Sequence, residues 1–454
     1  EEEARRGKQE LEARRGGSVP VQALDVAKLL KSVPAGGRFE DADFPPERAL
    51  AKKGQWKRLA DCIKSPQLQE NGMIPDDIEQ GSLGDCWFLS AMACCAAAPG
   101  RMDRVFVHAS EDKGLYVVRI YHNGAFRDVA VDDLVPTTSG RPLFAKSRTS
   151  RREVWPCILE KAYAKLHGSY DAIVGGHVSD GLIDLTGGIG ENIWLDRKAA
   201  QDGINDGSLW AKVLGLSKDG HMLGCGSPGG SDADISAKGI VQGHAYSILR
   251  VVEADGHRLL QLRNPWGDTE WKGKWSDGDT ASWTQRMRKK LSFTSGDDGT
   301  FWIAFEDFVN NYDSIYVCRV MDSGWQRQVV WGSWRGKAAG GNSNHSTYDD
   351  NPAYRLSLKG RMRLLVVLEQ KGVRGTDSEY FSIGLRLFRA RGGRRAGGFF
   401  AGSGNYVNRR SVLVEQEVEE GGEPHLVVPS TFRPGEETDF LLFVYWRGDA
   451  SDVS

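Results

Sequence analysis

The sequence has almost no net charge and no long apolar segment. Its 454 residues carry 59 Lys and Arg against 61 Asp and Glu, a formal net charge of −2, which disfavours nucleic-acid binding driven by bulk charge. The longest apolar run, 86–98, has 13 residues, fewer than the ~18 that a bilayer-spanning helix needs. We therefore expect neither a nucleic-acid partner nor a transmembrane segment in this chain.

Paired cysteine motifs are also missing. The seven cysteines form an odd set without C-x-x-C spacing, so neither a disulfide framework nor a structural zinc site is indicated. This pattern favours a reducing compartment, and we expect the protein to be cytoplasmic. The chain begins EEEARRGKQE, without an initiator Met or a signal peptide, and we interpret it as a piece of something longer.

Several well-known functional strings are absent as well. The sequence contains no G-x-S-x-G, P-loop or H-E-x-x-H string, which argues against serine hydrolases, NTPases and zincins that rely on those motifs. No segment fits the EF-hand calcium loop D-x-[DN]-x-[DN]-G-x5-E either.

What is present is much glycine and tryptophan, 55 and 14 residues, and a clear change of pattern along the chain. Residues 1–24 read as a charged tail or linker, and 25–187 are dominated by helical signals. In 188–322, short apolar runs separated by Gly and Asp indicate strands, and 323–454 indicate an antiparallel sandwich. The sequence thus predicts an α+β protein with an α-rich part, a β-rich part and a β-sandwich.

The first candidate functional residue is Cys86. It lies in QGSLGDCWFLSA, 80–91, where glycines and an Asp turn the chain before a long apolar run begins. This pattern places Cys86 at a helix N-terminus, where unpaired N–H groups and the helix dipole favour the reactive thiolate. The alternative is that Cys86 is an inert buried thiol, as most free cysteines are.

A partner base is predicted in GHAYSILRVVEADGHRLLQLRNPWG, 243–267. Two apolar runs flank a hairpin turn signal at 253–256, and folding the chain there brings His244 and Asn264 side by side within a residue or two. An imidazole held by an amide is what a cysteine nucleophile requires. A satisfied core histidine is the alternative interpretation of His244 alone.

These three segments resemble the active-site blocks of the calpains, papain-like cysteine proteases of the cell interior. WPCILEKAYAKLHGSY resembles a fourth block, and NPAYRLSL with STFRPGEETDFLLFVYW resembles the calpain C2-like domain. The resemblance implies a papain-like core of two halves, 25–187 and 188–322, followed by a C2-like sandwich at 323–454. The sequence around KAYAKLHGSYDAIVGGH most resembles that of phytocalpains, in which the protease portion lies at the end of a large membrane protein.

The resemblance also implies roles. Cys86 would be the nucleophile, His244 the general base and acid, and Asn264 the residue that orients the imidazole. Gln80 would give its amide to the oxyanion hole. Trp266 would shield these residues and wedge between the halves in an inactive state, although ordinary core packing is the alternative for one tryptophan among 14.

Calcium control is implied within the protease core, one Ca²⁺ in each half held by hard oxygen ligands. The first site maps onto the Asp77 and Glu160 carboxylates with backbone oxygens of Glu70 and Gly72. The second site maps onto the carboxylates of Glu270, Asp277 and Asp298 with a carbonyl near Gly296. It departs from the family pattern at one position, since Thr300 stands where a last carboxylate is expected.

We therefore expect a calcium-regulated cysteine endopeptidase that makes limited cuts in protein substrates. The alternative is a non-proteolytic module whose C2-like domain contacts anionic phospholipid or the cytoskeleton, for which the arginine-rich segment 386–395 is a candidate. The chain could also be the cytosolic end of a larger membrane-anchored protein, or be released from one.

Overall fold

The structure, a computed structural model, describes residues 19–51, 54–231, 233–321, 323–357, 361–391, 394–418 and 425–448. Most of the charged tail expected at 1–24 lies outside these ranges. The described chain forms two compact units. We call Gln22–Tyr121 with Phe126–Val320 the N-terminal unit, and the described residues from Met321 onward, with His122–Ala125 and those up to Val21, the C-terminal unit. Across the described ranges, no helix is both long and apolar enough to cross a bilayer.

All ten α-helices of the described residues precede Met321. They are α1 (Val26–Ser32), α2 (Pro46–Ala49), α3 (Leu59–Cys62), α4 (Cys86–Ala97), α5 (Trp155–His167), α6 (Val178–Thr186), α7 (Lys198–Asp206), α8 (Ser208–Lys218), α9 (Gln285–Leu291) and α10 (Phe305–Asn311).

Fifteen strands in the described residues also begin before Met321. They are β1 (Val21–Gln22), β2 (Gln55–Arg58), β3 (Ile78–Glu79), β4 (Phe106–Ser110), β5 (Leu115–His122), β6 (Ala125–Asp132), β7 (Leu134–Thr138), β8 (Arg141–Pro142), β9 (Lys146–Ser147), β10 (Ile189–Trp194), β11 (Met222–Gly226), β12 (Ala245–Ala254), β13 (His257–Arg263), β14 (Thr300–Ala304) and β15 (Ser314–Arg319).

The helix α4 is the centre of the N-terminal unit. It is apolar on all sides, and Trp87 through Cys95 are all buried, as expected for a helix enclosed by other elements. Helix α6 and strand β12 pack against it. A Cβ at Gly181 of α6 would lie only 2.8 Å from the Ala91 Cβ, so glycine lets the two helices approach closely.

The residues before α6 contain more strand than their sequence suggests. Strands β1, β6, β5 and β4 form one sheet in that order, and β2, β7 and β8 form another. A buried ion network joins this part to α5: Lys161, whose side chain is 1% exposed, contacts the Asp132 carboxylate and donates to the Leu134 carbonyl at 2.6 Å. Because α5 carries this cation, the network fixes the helix against the β6–β7 corner.

A six-stranded sheet with the order β10-β15-β11-β12-β13-β14 forms the rest of the N-terminal unit. The β12–β13 hairpin turns at Asp255 and Gly256, both with positive φ (50° and 82°), which is the Asp-Gly turn that the sequence indicates. Ser247 pairs with Arg263 after an irregularity between Ile248 and Arg250. The register is therefore about two residues from the predicted one.

The C-terminal unit consists of antiparallel strands. They are β16 (Gln326–Trp334), β17 (Tyr354–Leu356), β18 (Met362–Gln370), β19 (Ser382–Arg391), β20 (Arg394–Gly402), β21 (Val407–Asn408), β22 (Ser411–Val418), β23 (His425–Thr431) and β24 (Thr438–Gly448). Four form the sheet β16-β24-β18-β22, and β17-β23-β19-β20 with β21 form the other. One apolar core takes side chains from both sheets, including Val366 and Leu385, which makes the unit a β-sandwich.

Candidate active site

Cys86 is the first residue of α4, directly after a tight loop. Cys86 is not disulfide-bonded and is half-buried. The loop is held close to residues 143–144: a Cβ at Gly81 would lie 2.3 Å from the Leu143 carbonyl oxygen and 2.4 Å from that of Phe144. Glycine is required there, and the close approach fixes the course of the chain into the helix that presents the thiol.

His244 and Asn264 are brought together by the β12–β13 hairpin. His244 is 3% exposed and Asn264 is fully buried, and Nε2 of the imidazole lies 2.8 Å from Oδ1 of the amide. Since Oδ1 only accepts, Nε2 donates, which leaves Nδ1 as the proton-accepting nitrogen. The Asn264 side-chain N–H groups donate to the carbonyls of Asp268 at 2.8 Å and Thr269 at 3.1 Å, which fixes the orientation of the amide.

Side-chain bonds join the helix of Cys86 to the strand that follows His244. The Ser90 hydroxyl, one turn after Cys86, donates to the Ala245 carbonyl at 3.1 Å. The Ser247 hydroxyl donates back to the Ser90 carbonyl at 2.9 Å. The two predicted catalytic segments are therefore directly packed on one another, although they lie far apart in the sequence.

Gln80 and Trp266 lie on the two loops that flank this junction. The Gln80 backbone N–H donates to the Pro265 carbonyl at 2.9 Å, so that the loops are joined. The Gln80 side-chain nitrogen donates to the Leu83 carbonyl at 2.7 Å, which leaves its second N–H for another acceptor. The Trp266 ring lies 5.0 Å from the imidazole of His244, between centroids, and covers it on one side.

Beside the nucleophile is a pair of buried carboxyl groups, Asp85 and Glu160, of which the sequence analysis named only Glu160, as a calcium ligand. Asp85 is fully buried, and burial raises its pKa well above the usual range. Glu160 of α5 is also buried, and its pKa is raised by burial and by the negative charge of Asp85. Both oxygens of Glu160 accept from the Ala145 N–H, at 3.0 and 3.2 Å. Two such groups cannot both ionise at low cost, so we infer that the pair retains a proton near neutral pH.

The expected first calcium site is only partly assembled from the predicted residues. Glu160 lies with Asp85 and Ala145, as described, whereas the carboxylate beside Asp77 is that of Glu153, whose pKa is raised by burial and by the Asp77 charge. The Glu70 N–H donates to Glu153 at 2.8 Å. We call Glu70, Asp77 and Glu153 the first acidic cluster.

Glu153 is the residue that sequence reasoning missed. Asp77 accepts at Oδ2 from the indole N–H of Trp155 at 3.2 Å, and Glu153 lies two residues before that tryptophan. The backbone N–H of Gly72, two residues after Glu70, donates to the Gln69 side chain. The acidic residue just before the helix, and not the one within it, faces Asp77.

The residues predicted for the second calcium site do lie together. Oε1 of Glu270 accepts from the N–H groups of Asp298 at 3.1 Å and Gly299 at 2.8 Å. Burial, with the charges of Asp277 and Asp298, raises the pKa of Glu270 to about 7. Buried Oδ1 of Asp277 has no hydrogen-bond donor among the described residues. We call Glu270, Asp277 and Asp298 the second acidic cluster.

Both clusters have the hard oxygen donors that Ca²⁺ takes, and the unsatisfied oxygen of Asp277 fits a cation. In the described part of the chain, however, no three acidic, His or Cys side chains already converge as a ready-made metal site. At the second cluster Gly296 contributes its N–H, which donates to Asp277 at 2.9 Å, and the Thr300 hydroxyl is buried without a partner among the described residues.

Arg263 lies between the two clusters. Its side chain is fully buried and approaches Asp76, the neighbour of Asp77, with 3.7 Å between Nε and Oδ1. It donates to the Ile78 carbonyl at 2.7 Å. Burial lowers its pKa to about 10, so it remains charged near neutral pH. This cation directly precedes Asn264, and it joins the residues before Cys86 to the strand that positions His244.

Two family models match most of the chain. The family model described as calpain family cysteine protease matches residues 39–319, and that described as calpain large subunit, domain III, matches residues 330–445. Calpain-5 of Mus musculus is 32% identical over 93% of this chain and 74% of its own length.

Plant relatives are more similar in sequence. The calpain-type cysteine protease DEK1 of Zea mays is 41% identical over 90% of this chain, and ADL1 of Oryza sativa subsp. japonica is 40% identical over the same share. The chain spans about a fifth of the length of these plant proteins, 21% in each case.

Proposed function

The chain belongs to the calpain family of cysteine proteases, and from this we propose that it is a calcium-regulated endopeptidase making limited cuts in protein substrates. The observation that carries the proposal is the 2.8 Å His244–Asn264 pair on a strand packed against the helix of Cys86. An oriented imidazole next to a helix-terminal thiol is the arrangement that nucleophilic catalysis by cysteine uses.

In this mechanism the Cys86 thiolate attacks the scissile carbonyl. The Cys86 N–H and the second N–H of Gln80 stabilise the oxyanion of the tetrahedral species. His244, protonated at Nδ1, gives that proton to the leaving amine and then takes one from the water that releases the acyl-enzyme. Asn264 holds the ring through Nε2 throughout, and Trp266 excludes water from one side of it.

A peptidyl epoxide that labels nucleophilic thiols tests the assignment. Cys86→Ser is expected to lose both labelling, located by mass spectrometry, and peptide cleavage. Cys62→Ser is the matched control, because Cys62 is also a half-buried thiol and lies outside the site. Cleavage at the wild-type rate by Cys86→Ser would show that the thiol is not the nucleophile.

Calcium is the regulator that the family and the two acidic clusters suggest. Burial and mutual repulsion make these carboxylates costly to ionise, as the raised pKa of Glu270, about 7, indicates. A bound divalent cation would offset this cost by supplying positive charge. We propose Glu70, Asp77 and Glu153 as first-cluster ligands and Glu270, Asp277 and Asp298 as second-cluster ligands.

Calcium titration calorimetry separates the two candidate carboxylates of the first calcium site, Glu153 and Glu160. Glu153→Gln is expected to weaken that site by about tenfold, because one ligand charge is lost, whereas Glu160→Gln leaves the affinity unchanged. The opposite ranking would return the first site to Glu160. Asp277→Asn tests the second cluster in the same titration.

We further propose the domain division 25–187, 188–322 and 323–454. We also propose a reducing, cytoplasmic location, which is supported by seven cysteines of which none is disulfide-bonded. We also propose that the chain is the cytosolic part of a larger protein, because it matches only about a fifth of the length of its plant relatives.

The alternative function, contact of the sandwich with anionic phospholipid or the cytoskeleton, has one favourable observation. Phe399 and Phe400 of β20 are 51% and 38% exposed, and the paired strand β19 carries Arg389 and Arg391, opposite Ala396 and Arg394 of β20. Aromatic and cationic side chains together suit a membrane interface. Calcium-dependent sedimentation of Cys86→Ser with anionic vesicles, lost in Arg389→Glu with Arg391→Glu, would support this second role.

A further inference from the structure

The N-terminal unit contains a cavity of about 650 Å³ whose lining includes five cationic residues and one carboxylate. We call it the basic pocket, and its five cationic residues are Lys64, Arg141, Lys146, Arg151 and Arg152. We propose that the basic pocket binds a compact phosphorylated anion, either a free phosphate ester or the phosphorylated headgroup of a lipid.

The charges in and around the basic pocket do not cancel. Glu79 pairs with Lys146 at 3.0 Å and with Arg141 at 3.8 Å, and Glu70 pairs with Arg152 at 3.1 Å. Glu153 is the single carboxylate in the lining.

Lys64 and Arg151 are both exposed. Neither has an acidic group within ion-pair distance among the described residues. Five cations thus face three carboxylates, and the excess positive charge is concentrated on the two side chains that remain available to a ligand.

Backbone pairing holds the walls of the basic pocket in place. The β7–β8 hairpin pairs Thr138 with Arg141, and the β3–β9 pair sets Glu79 opposite Lys146. Arg141 and Lys146 therefore extend from paired strands, so these two side chains lose little backbone conformational entropy when an anion is bound, whereas Lys64 lies in a bend and Arg151 in a turn.

Both the shape and the donor set favour phosphate over a protein surface. A concave volume of about 650 Å³ is in the range of small-molecule sites, about 300–1,000 Å³, whereas protein partners usually meet flatter surfaces. The guanidinium of Arg151, which has no acidic partner among the described residues, offers the paired N–H donors that bind phosphate oxygens bidentately, while those of Arg141 and Arg152 are already paired with Glu79 and Glu70. Ser65 and Ser139, also in the lining, add neutral donors.

Calorimetric titration of the full chain as Cys86→Ser with inositol 1,4,5-trisphosphate, in calcium-free buffer, tests this proposal. We expect saturable binding of one ligand per chain, weakened about tenfold or more when Lys64→Gln and Arg151→Gln remove two charge-assisted contacts. The matched control is Arg197→Gln with Lys198→Gln. These two exposed cations lie at the start of α7 and pair with Asp196 and Asp202, respectively. No saturable binding up to about 1 mM, or equal weakening by both double variants, would overturn the proposal.

A vesicle co-sedimentation assay separates the two sources of phosphate, a lipid headgroup and a soluble ester. Vesicles of phosphatidylcholine with phosphatidylinositol 4,5-bisphosphate are sedimented with the same variants. Sedimentation that free inositol trisphosphate competes away, and that Lys64→Gln with Arg151→Gln abolishes, identifies a lipid headgroup. Binding of free trisphosphate without sedimentation identifies a soluble ester. Sedimentation that survives the double variant, with no binding of free trisphosphate, would place phosphate recognition elsewhere and refute the basic pocket.

Discussion

Replacing Arg263 by Met is expected to impair both stability and turnover. The guanidinium is fully buried, donates to the buried Ile78 carbonyl at 2.7 Å and lies 3.7 Å from the Asp76 carboxylate. Methionine has a similar length and no donor. The change therefore tests whether this cation joins the loop before Cys86 to the strand that ends at Asn264.

The expected cost follows from these contacts. A buried carbonyl left without its donor costs about 1–3 kcal/mol. The lost attraction to Asp76, whose side chain is 47% exposed, adds at most about 1 kcal/mol, because solvent screens it. We expect Arg263→Met to lower the free energy of unfolding by about 1–4 kcal/mol. We also expect kcat to fall by up to about 100-fold, since a displacement of about 1 Å at Asn264 is enough for that loss.

Urea unfolding and cleavage of a fluorogenic peptide measure the two effects. Arg250→Met is the matched control, because Arg250 of β12 also donates to a backbone carbonyl, that of Leu291 at 2.7 Å, but does not adjoin the catalytic residues. It should lose comparable stability and retain kcat. The reasoning is refuted if Arg263→Met unfolds within about 0.5 kcal/mol of the parent, or if both variants lose kcat equally.

Three further predictions concern the surroundings of the thiol. Because burial raises the pKa of Asp85 and Glu160, their contribution to stability is complete below pH ~4 and declines as pH rises through the folded pKa. Glu160→Gln should reduce this decline, measured by urea unfolding from pH 5 to 8. An unchanged slope of stability against pH would contradict the pairing. Lys161→Met leaves the buried Asp132 carboxylate with Arg58, at 3.7 Å, as its remaining cationic partner and should cost up to about 3–5 kcal/mol of unfolding free energy. A cost below about 1 kcal/mol would refute the network. Gly81→Ala should lower both stability and kcat because its Cβ would lie 2.3 Å from a carbonyl oxygen, whereas Gly215→Ala in α8, with nothing within 4 Å, should stabilise by about 0.5–1 kcal/mol; equal effects would contradict the steric argument.

Local signals made part of the site predictable. The Gly-Asp loop before an apolar run placed Cys86 at the start of a helix, and α4 begins at that residue. The Asp-Gly turn placed His244 near Asn264, and their side chains are 2.8 Å apart. Even the register error of about two residues did not separate them, because both lie just beyond the ends of the paired strands.

Features that depend on tertiary packing were not predictable in the same way. Glu153 and Glu160 lie two turns apart around the start of α5, and either could face Asp77 on spacing alone. The packing of α5 turns Glu160 towards Asp85 and the Ala145 N–H, and leaves Glu153 outside the helix beside Asp77. The extra strands before α6 were missed because β5 is buried along most of its length, and a buried apolar run resembles a helix segment.

The enclosure of α4 has a consequence for synthesis of the protein. The bond from Ser247 to Ser90 spans 157 residues, so a ribosome adding about 5–20 residues per second needs about 8–30 seconds after making the helix before its covering strand emerges. During that interval a nascent chain exposes a helix that is apolar on every side. We expect the first half, expressed alone, to aggregate or to require a chaperone, and co-expression of the second half to restore solubility.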